Sequence, residues 1–169
     1  MCCKKIAMIS IVDFEPHHQV YFEQMNRRWI EQYFVMEGID EYVLTRPEEA
    51  IIKTGGAILM ALDEGIPAGT VALRKVDDVT YEFTKMAVDE AHQRKGIAEA
   101  LCYASFEKAR ELGATTVILY SNSILTPALR LYAKVGFHHL AVDHVEYKRS
   151  DEKMMIDLST IKQTEPINH

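Results

Sequence analysis

Val88-Asp89-Glu90-Ala91-His92-Gln93-Arg94-Lys95-Gly96-Ile97-Ala98-Glu99-Ala100-Leu101 holds the change of hydrophobic period that decides the fold. Upstream, residues 80–88 are rich in β-branched and aromatic side chains and read as a strand. Downstream, Ile97, Ala98, Leu101, Cys102, Ser105, Ala109 and Leu112 share one helical face, with Glu99, Tyr103, Glu107 and Arg110 opposite and Gly113 as the stop. A strand therefore delivers a basic, glycine-bearing loop to the first turn of an amphipathic helix. The unpaired N–H groups and the dipole of that turn favour an anion. Gly96 lets a ligand approach the backbone, Arg94 and Lys95 can add charge-assisted bonds, and the small Ala98 does not obstruct. Taken alone, the loop is also compatible with an ordinary turn whose Gln93, Arg94 and Lys95 are solvated. It has neither Gly-x-Gly-x-x-Gly nor Gly-Lys-Ser/Thr, which speaks against a dinucleotide or ATP site.

Outward from this window, residues 115–120 form a short β-branched run, so strand, helix and strand make a parallel βαβ crossover. A further helix covers 125–135, with Pro127 in its first turn and Gly136 past its end. Residues 137–147 and 154–158 read as strands around a charged loop, and 160–169 as a loose tail. On the N-terminal side, residues 6–12 read as a strand. A helix follows whose apolar stripe is Phe22, Met25, Trp29, Tyr33 and Met36, ended by Gly38. Residues 39–45 are polar enough for a loop or marginal segment, and Pro47-Glu48-Glu49 opens a short helix stopped by Gly55-Gly56. Residues 57–62 and 69–76 form an antiparallel hairpin through the turn-rich linker at 63–67. There is no internal repeat.

The 169 residues suit one domain, with a core over about 5–159. A hydrophobic share of 48% and a charged share of 26% are ordinary for soluble proteins, and no stretch has the ~20 apolar residues of a membrane span. The cytoplasm is the expected location. A net charge of −6 argues against non-specific nucleic-acid binding. Three cysteines lack the count and spacing of a disulfide framework or zinc site, and reduced thiols are expected. His17-His18 and His138-His139 are not expected to bind metal, because adjacent side chains on a helix or strand point apart.

Gln93-Arg94-Lys95-Gly96-Ile97-Ala98 resembles the Gln/Arg-x-x-Gly-x-Gly/Ala signature of the GNAT N-acetyltransferases. Lys85-Met86-Ala87-Val88, Ser121-Asn122 and Leu131-Tyr132-Ala133-Lys134-Val135-Gly136-Phe137 follow that family's order and approximate spacing, from about residue 57 to 147. The resemblance implies an α/β fold: a central, mixed, twisted sheet of six or seven strands flanked by helices. It also implies acetyl-CoA as cosubstrate without a metal, and direct transfer of the acetyl group to a primary amine of a small molecule or peptide. Gln93, Arg94, Lys95, Gly96, Ile97, Ala98 and Glu99 would hold the pyrophosphate. Main-chain groups of Met86, Ala87 and Val88 would pair with pantetheine or polarise the thioester.

Two side chains carry the expected chemistry. From its own spacing Tyr132 is a core tyrosine on the face of Leu125 and Leu129; the resemblance makes it the phenol that meets the CoA sulfur as general acid. Period-two geometry puts Glu82 on one strand face with Thr84 and Met86, either as a carboxylate paired with Lys85 or a neighbouring strand or, by resemblance, as general base. Asn122 is either a turn residue or a contact for pantetheine or water, and Lys134 either a solvated charge or a CoA phosphate contact. The competing functional class is a non-catalytic acyl-CoA sensor. Glu37, Asp40, Glu41 and Glu48 could attract a polyamine, an aminoglycoside or a basic peptide, a choice the sequence leaves open. A two-fold homodimer is the default expectation, with no interface marked.

Overall fold

The computed structural model describes residues 8–142 and 147–161. Seven strands form one sheet: β1 (Ile9–Asp13), β2 (Ala57–Asp63), β3 (Ile66–Lys75), β4 (Thr80–Val88), β5 (Thr116–Ser121), β6 (His138–Leu140) and β7 (Glu152–Asp157). Their spatial order is β1-β2-β3-β4-β5-β7-β6. Only β4 and β5 run parallel, joined by the crossover helix α3 (Ile97–Glu111); the other pairs are antiparallel. The β2–β3 turn uses Glu64 (φ 50°) and Gly65 (φ 83°), the two positive φ angles of a tight hairpin whose twist matches its strands.

Each face of the sheet buries a separate apolar cluster, because side chains alternate along strands. Leu59, Leu73, Phe83, Val117 and Ile156 pack with Leu101, Phe106 and Ala109 of α3 and with Val135, the last residue of α4 (Thr126–Val135). Gly69 admits α3 closely: a Cβ there would meet Ile97 Cγ2 at 2.9 Å. On the other face Ile58, Met60 and Ala72 pack with Phe22, Met25 and Ile30 of α1 (Gln19–Tyr33) and with Val43 and Leu44 of α2 (Gly38–Thr45).

Several boundaries differ from those read in the sequence. Residues 39–45, expected as a loop, form α2, and Gly38 begins that helix instead of ending α1. Glu37 and Asp40 make a reciprocal capping box, and buried Val43 and Leu44 give the helix its tertiary anchor. The inward stripe of α1 is Phe22, Met25, Asn26 and Ile30, while Tyr33 is 47% exposed. The helix before Gly55 is a π-helical turn (Glu48–Ile52). Of the strand expected over 137–147, the described residues pair from His138 to Leu140 and Tyr147 enters the turn before β7, while 143–146 lie outside the described residues. Parts of the expected first strand and tail, at residues 6–7 and 162–169, lie outside the described residues.

Candidate active site

After β4, Asp89 caps the short turn Glu90–His92 by accepting from the Ala91 amide at 2.9 Å. Arg94 (φ 63°) and Gly96 (φ 75°) then turn the chain through left-handed conformations into α3. Gly96 is the N-cap, and no side chain caps the helix. The first helical bond runs from Ala100 N to Gly96 O at 3.0 Å, which leaves the first-turn amides of Ile97, Ala98 and Glu99 available. A Cβ at Gly96 would meet nothing within 4 Å, so the space beside it is open.

The charges around this loop divide unequally. Lys95 Nζ is 2.6 Å from Asp63 Oδ2 and His92 Nδ1 is 2.7 Å from the same oxygen, so Lys95 is committed to the end of β2. Lys95 and then His92 hold the Asp63 carboxyl below its ordinary pKa. Arg94 is exposed and has no ion-pair partner among the described residues. Lys134 bonds Glu99 Oε2 at 2.9 Å, linking α4 to α3.

β4 and β5 pair from Thr80/Thr116 to Phe83/Leu119 and then part. Met86, Ala87 and Val88 lie on the part of β4 that has no partner on β5. The gap opens a cavity of about 90 Å³ that passes through the sheet, lined by Asn26, Trp29 and Phe34 on one side and by Leu125 and Tyr132 on the other. Glu82 and Tyr132 line this same cavity.

A bulge sets which side chains reach it. Between Thr70/Ala87 and Ala72/Thr84 the register gains one residue on β4, and Lys85 takes φ 54°, an uncommon conformation for a residue with a Cβ. The alternation reverses there: Phe83 and Met86 pack against the α3 cluster, whereas Ala87 belongs to the α1 cluster. Glu82 and Met86 therefore do not share a face, contrary to strict period-two reading.

Glu82 is 4% exposed and takes a 2.8 Å bond on Oε1 from Arg74 Nη2, its cross-strand partner on β3. The neighbouring-strand pairing weighed from sequence is thus present, with Arg74 and not Lys85. Its Oε2 has no partner among the described residues. Tyr132 packs edge-on to Phe83 and Phe137, with centroids 5.7 and 5.9 Å away, and its hydroxyl has no hydrogen bond to a described residue. Burial, and then Cys102, push its phenol pKa upward.

Sequence reasoning missed an ionic network on the α1 side. Asp40, fully buried, receives Lys85 Nζ at 2.9 Å and both terminal nitrogens of Arg149 at 2.8 Å. Arg149 also bonds Glu37 at 3.0 Å, and Lys85 also bonds the Tyr147 hydroxyl at 2.9 Å. Both cations lie over the Tyr147 ring, at 4.3 and 4.5 Å from its centroid. Burial opposes the Asp40 charge, but Arg149, Lys85 and the Glu37 amide overcome it and hold its pKa at about 2. Burial, joined by the charge of Arg149, lowers Lys85 in spite of Asp40, so we assign the stability of the carboxylate mainly to bidentate Arg149. Asn122 anchors the same loop: its Nδ2 donates to Arg149 O at 2.6 Å and its Oδ1 accepts from Ile124 N at 3.0 Å. Those bonds match its turn-residue reading.

The geometric reason for excluding a metal at His17-His18 does not hold. The turn Pro16–His18 brings the two rings to 4.1 Å, and their ligand atoms lie within 4.8 Å of one another and of Glu15. His18 Nδ1 already accepts from Glu15 N at 3.0 Å, so one ring nitrogen serves the helix cap. His139 pairs with Glu152 at 3.0 Å.

The sequence that builds this loop and strand pair matches a family model, the Acetyltransferase (GNAT) family, over residues 14–137. The chain belongs to this family. Among curated GNAT relatives, the uncharacterized N-acetyltransferase YvbK of Bacillus subtilis is 38% identical over 77 residues, covering 46% of this chain and 50% of that protein. N-acetylaspartate synthetase of Xenopus tropicalis is 31% identical over 108 residues, covering 63% of this chain and 37% of that protein. The matched stretches thus span half or less of these relatives. A solved GNAT acetyltransferase from Staphylococcus aureus superimposes with a TM-score of 0.80 at 16% identity, covering 89% of this chain and 99% of that one. Another, yncA from Salmonella typhimurium with its cofactor acetyl-CoA, gives 0.70 at 19% identity and covers 89% and 94%. The seven-stranded mixed sheet flanked by helices is the GNAT fold expected from the sequence.

Proposed function

We propose that this GNAT domain moves the acetyl group of acetyl-CoA to a primary amine by direct transfer within a ternary complex. The observation that carries this reading is one cavity crossing the sheet at the β4–β5 gap, with Glu82 and Tyr132 both on its wall. The open first-turn amides of α3, the free approach at Gly96 and the guanidinium of Arg94, without an ion-pair partner among the described residues, fit a diphosphate. In this role Gln93, Arg94 and Gly96 to Glu99 hold the phosphates, while Lys95 contributes its main chain because its ammonium is held by Asp63. Bound acetyl-CoA supplies a thioester carbonyl open to attack.

Glu82 Oε2 takes the proton of the amine, directly or through a water, while Arg74 holds Oε1 and fixes the carboxylate. The amine nitrogen bonds to the acetyl carbon, the carbon–sulfur bond breaks, and Tyr132 supplies the proton of the leaving thiol. Main-chain groups of Met86 to Val88, on the stretch of β4 beyond its pairing with β5, bind the carbonyl oxygen in this reading. Acceptors named for relatives are primary amines of differing charge: N-acetylaspartate synthetase implies an amino acid, and a structural neighbour, spermidine N-acetyltransferase, a polyamine.

The test is CoA release from acetyl-CoA with a panel of amines. Wild type should turn over, and Glu82→Gln should lose about 10²–10³-fold in kcat while binding CoA as before. Tight CoA binding with no amine accelerating release would sink the catalytic reading in favour of a sensor.

A further inference from the structure

Three of the four acids that marked this region as attractive to polycations are already paired; the fourth, Glu48, does not line the cavity. Asp40 and Glu37 are bonded to Lys85 and Arg149, and Glu41 is bonded to Arg27. The charged side chains that line the cavity itself are Glu82, Lys85 and Arg149. A row of ammonium groups would find one carboxylate there, already shared with Arg74, beside two cations whose charge Asp40 and Glu37 balance.

The cations retain bonding capacity. A guanidinium has five N–H donors and an ammonium three. Arg149 makes three hydrogen bonds to Glu37 and Asp40, and Lys85 makes two, to Asp40 and Tyr147. Two donors of Arg149 and one of Lys85 thus have no partner among the described residues. Both side chains are largely withdrawn from bulk solvent, 15% and 4% exposed, yet neither has a nitrogen that is at once buried and unbonded. The Tyr147 ring beneath them, and Phe34 5.8 Å from the guanidinium, fix their position. A fixed guanidinium with open N–H groups beside an ammonium is suited to a carboxylate.

We infer that the acceptor carries a carboxylate near its amine, an amino acid or a close analogue, with Arg149 and Lys85 receiving the carboxylate and Glu82 the amine. This rests on the acetyl-transfer reading and specifies its substrate class. Trp29 and Phe34 on the cavity wall leave room for an apolar or aromatic side chain beside the two charged ends.

The test compares amino acids with their carboxamides and decarboxylated amines at saturating acetyl-CoA, in wild type, Arg149→Lys and Arg149→Gln. Wild type should favour the acid at least tenfold in kcat/KM. Arg149→Lys should keep part of that preference and Arg149→Gln should lose it, the KM of the acid rising to that of the carboxamide and the decarboxylated amine. Equal or better turnover of carboxamides and amines by wild type overturns the inference while leaving acetyl transfer intact. If nothing is acetylated, the transfer reading fails, and calorimetry of N-acetyl amino acids against CoA-saturated wild type still decides. Binding at least tenfold tighter than the N-acetyl carboxamides supports the carboxylate site, and equal or absent binding overturns it. The wild-type comparisons do not depend on either variant folding.

Discussion

Replacing Asp40 with asparagine removes the centre of the buried network with almost no change in shape. Two independent routes give its cost. Holding the carboxyl at about 2 instead of 3.8 contributes roughly 2–3 kcal/mol at neutral pH. Removing one partner of a buried ion pair costs about 3–5 kcal/mol, because the opposing charge stays uncompensated. Here Lys85 and Arg149 would face only Glu37, so about 3 kcal/mol is expected, or a melting point lower by about 6–12 °C for a chain of 169 residues. The sign with pH is fixed by the depressed pKa. The stabilisation is complete above the unfolded value of 3.8 and is lost as pH falls through about 2, so wild type and Asp40→Asn should converge in acid. Denaturant unfolding of both proteins from pH 7 down to about 2, with Lys85→Met and the double variant completing a cycle, measures this. The double variant should lose less than the sum of the single ones. A loss below about 0.5 kcal/mol at pH 7, or a difference that does not narrow in acid, would refute the reasoning.

Two further outcomes follow from buried groups. Tyr132→Phe should lower kcat about 10–100-fold with little change in acetyl-CoA binding; because burial raises the phenol pKa, wild-type kcat should show no alkaline decline from Tyr132 up to about pH 9, read from a pH–rate profile. The thiol of Cys102, fully buried and pushed up to about 12 first by burial and then by Glu99, should resist alkylation at pH 7–8 in the folded protein and react once it is unfolded, read by peptide mapping.

The parts of this site legible in the sequence are those whose cause is local. Gly96 stands where α3 begins, and its left-handed φ is a need that glycine meets without strain. The periodicity of α3 and the β-branched runs of β4 and β5 announce the crossover for the same reason. What escaped was specified over distance. Helix α2 depends on Asp40, whose partners Lys85 and Arg149 are 45 and 109 residues away, so its own polar sequence looks marginal. The bulge at Lys85 has no glycine to mark it; the buried bonds of its side chain to Asp40 and Tyr147 hold the unusual backbone instead. The single extra residue reversed the face assigned to Met86 relative to Glu82. The ion pair of Lys95 escapes the sequence for the same reason, since its partner Asp63 lies on another strand.

The central claim is tested most directly by titrating coenzyme A into the wild-type domain and a Gly96→Glu variant by calorimetry, with folding checked by circular dichroism. Saturable one-to-one binding that weakens with added salt, reduced at least tenfold in the folded variant, is the predicted result. Heat no greater than dilution for wild type, or equal affinity in both proteins, would contradict it.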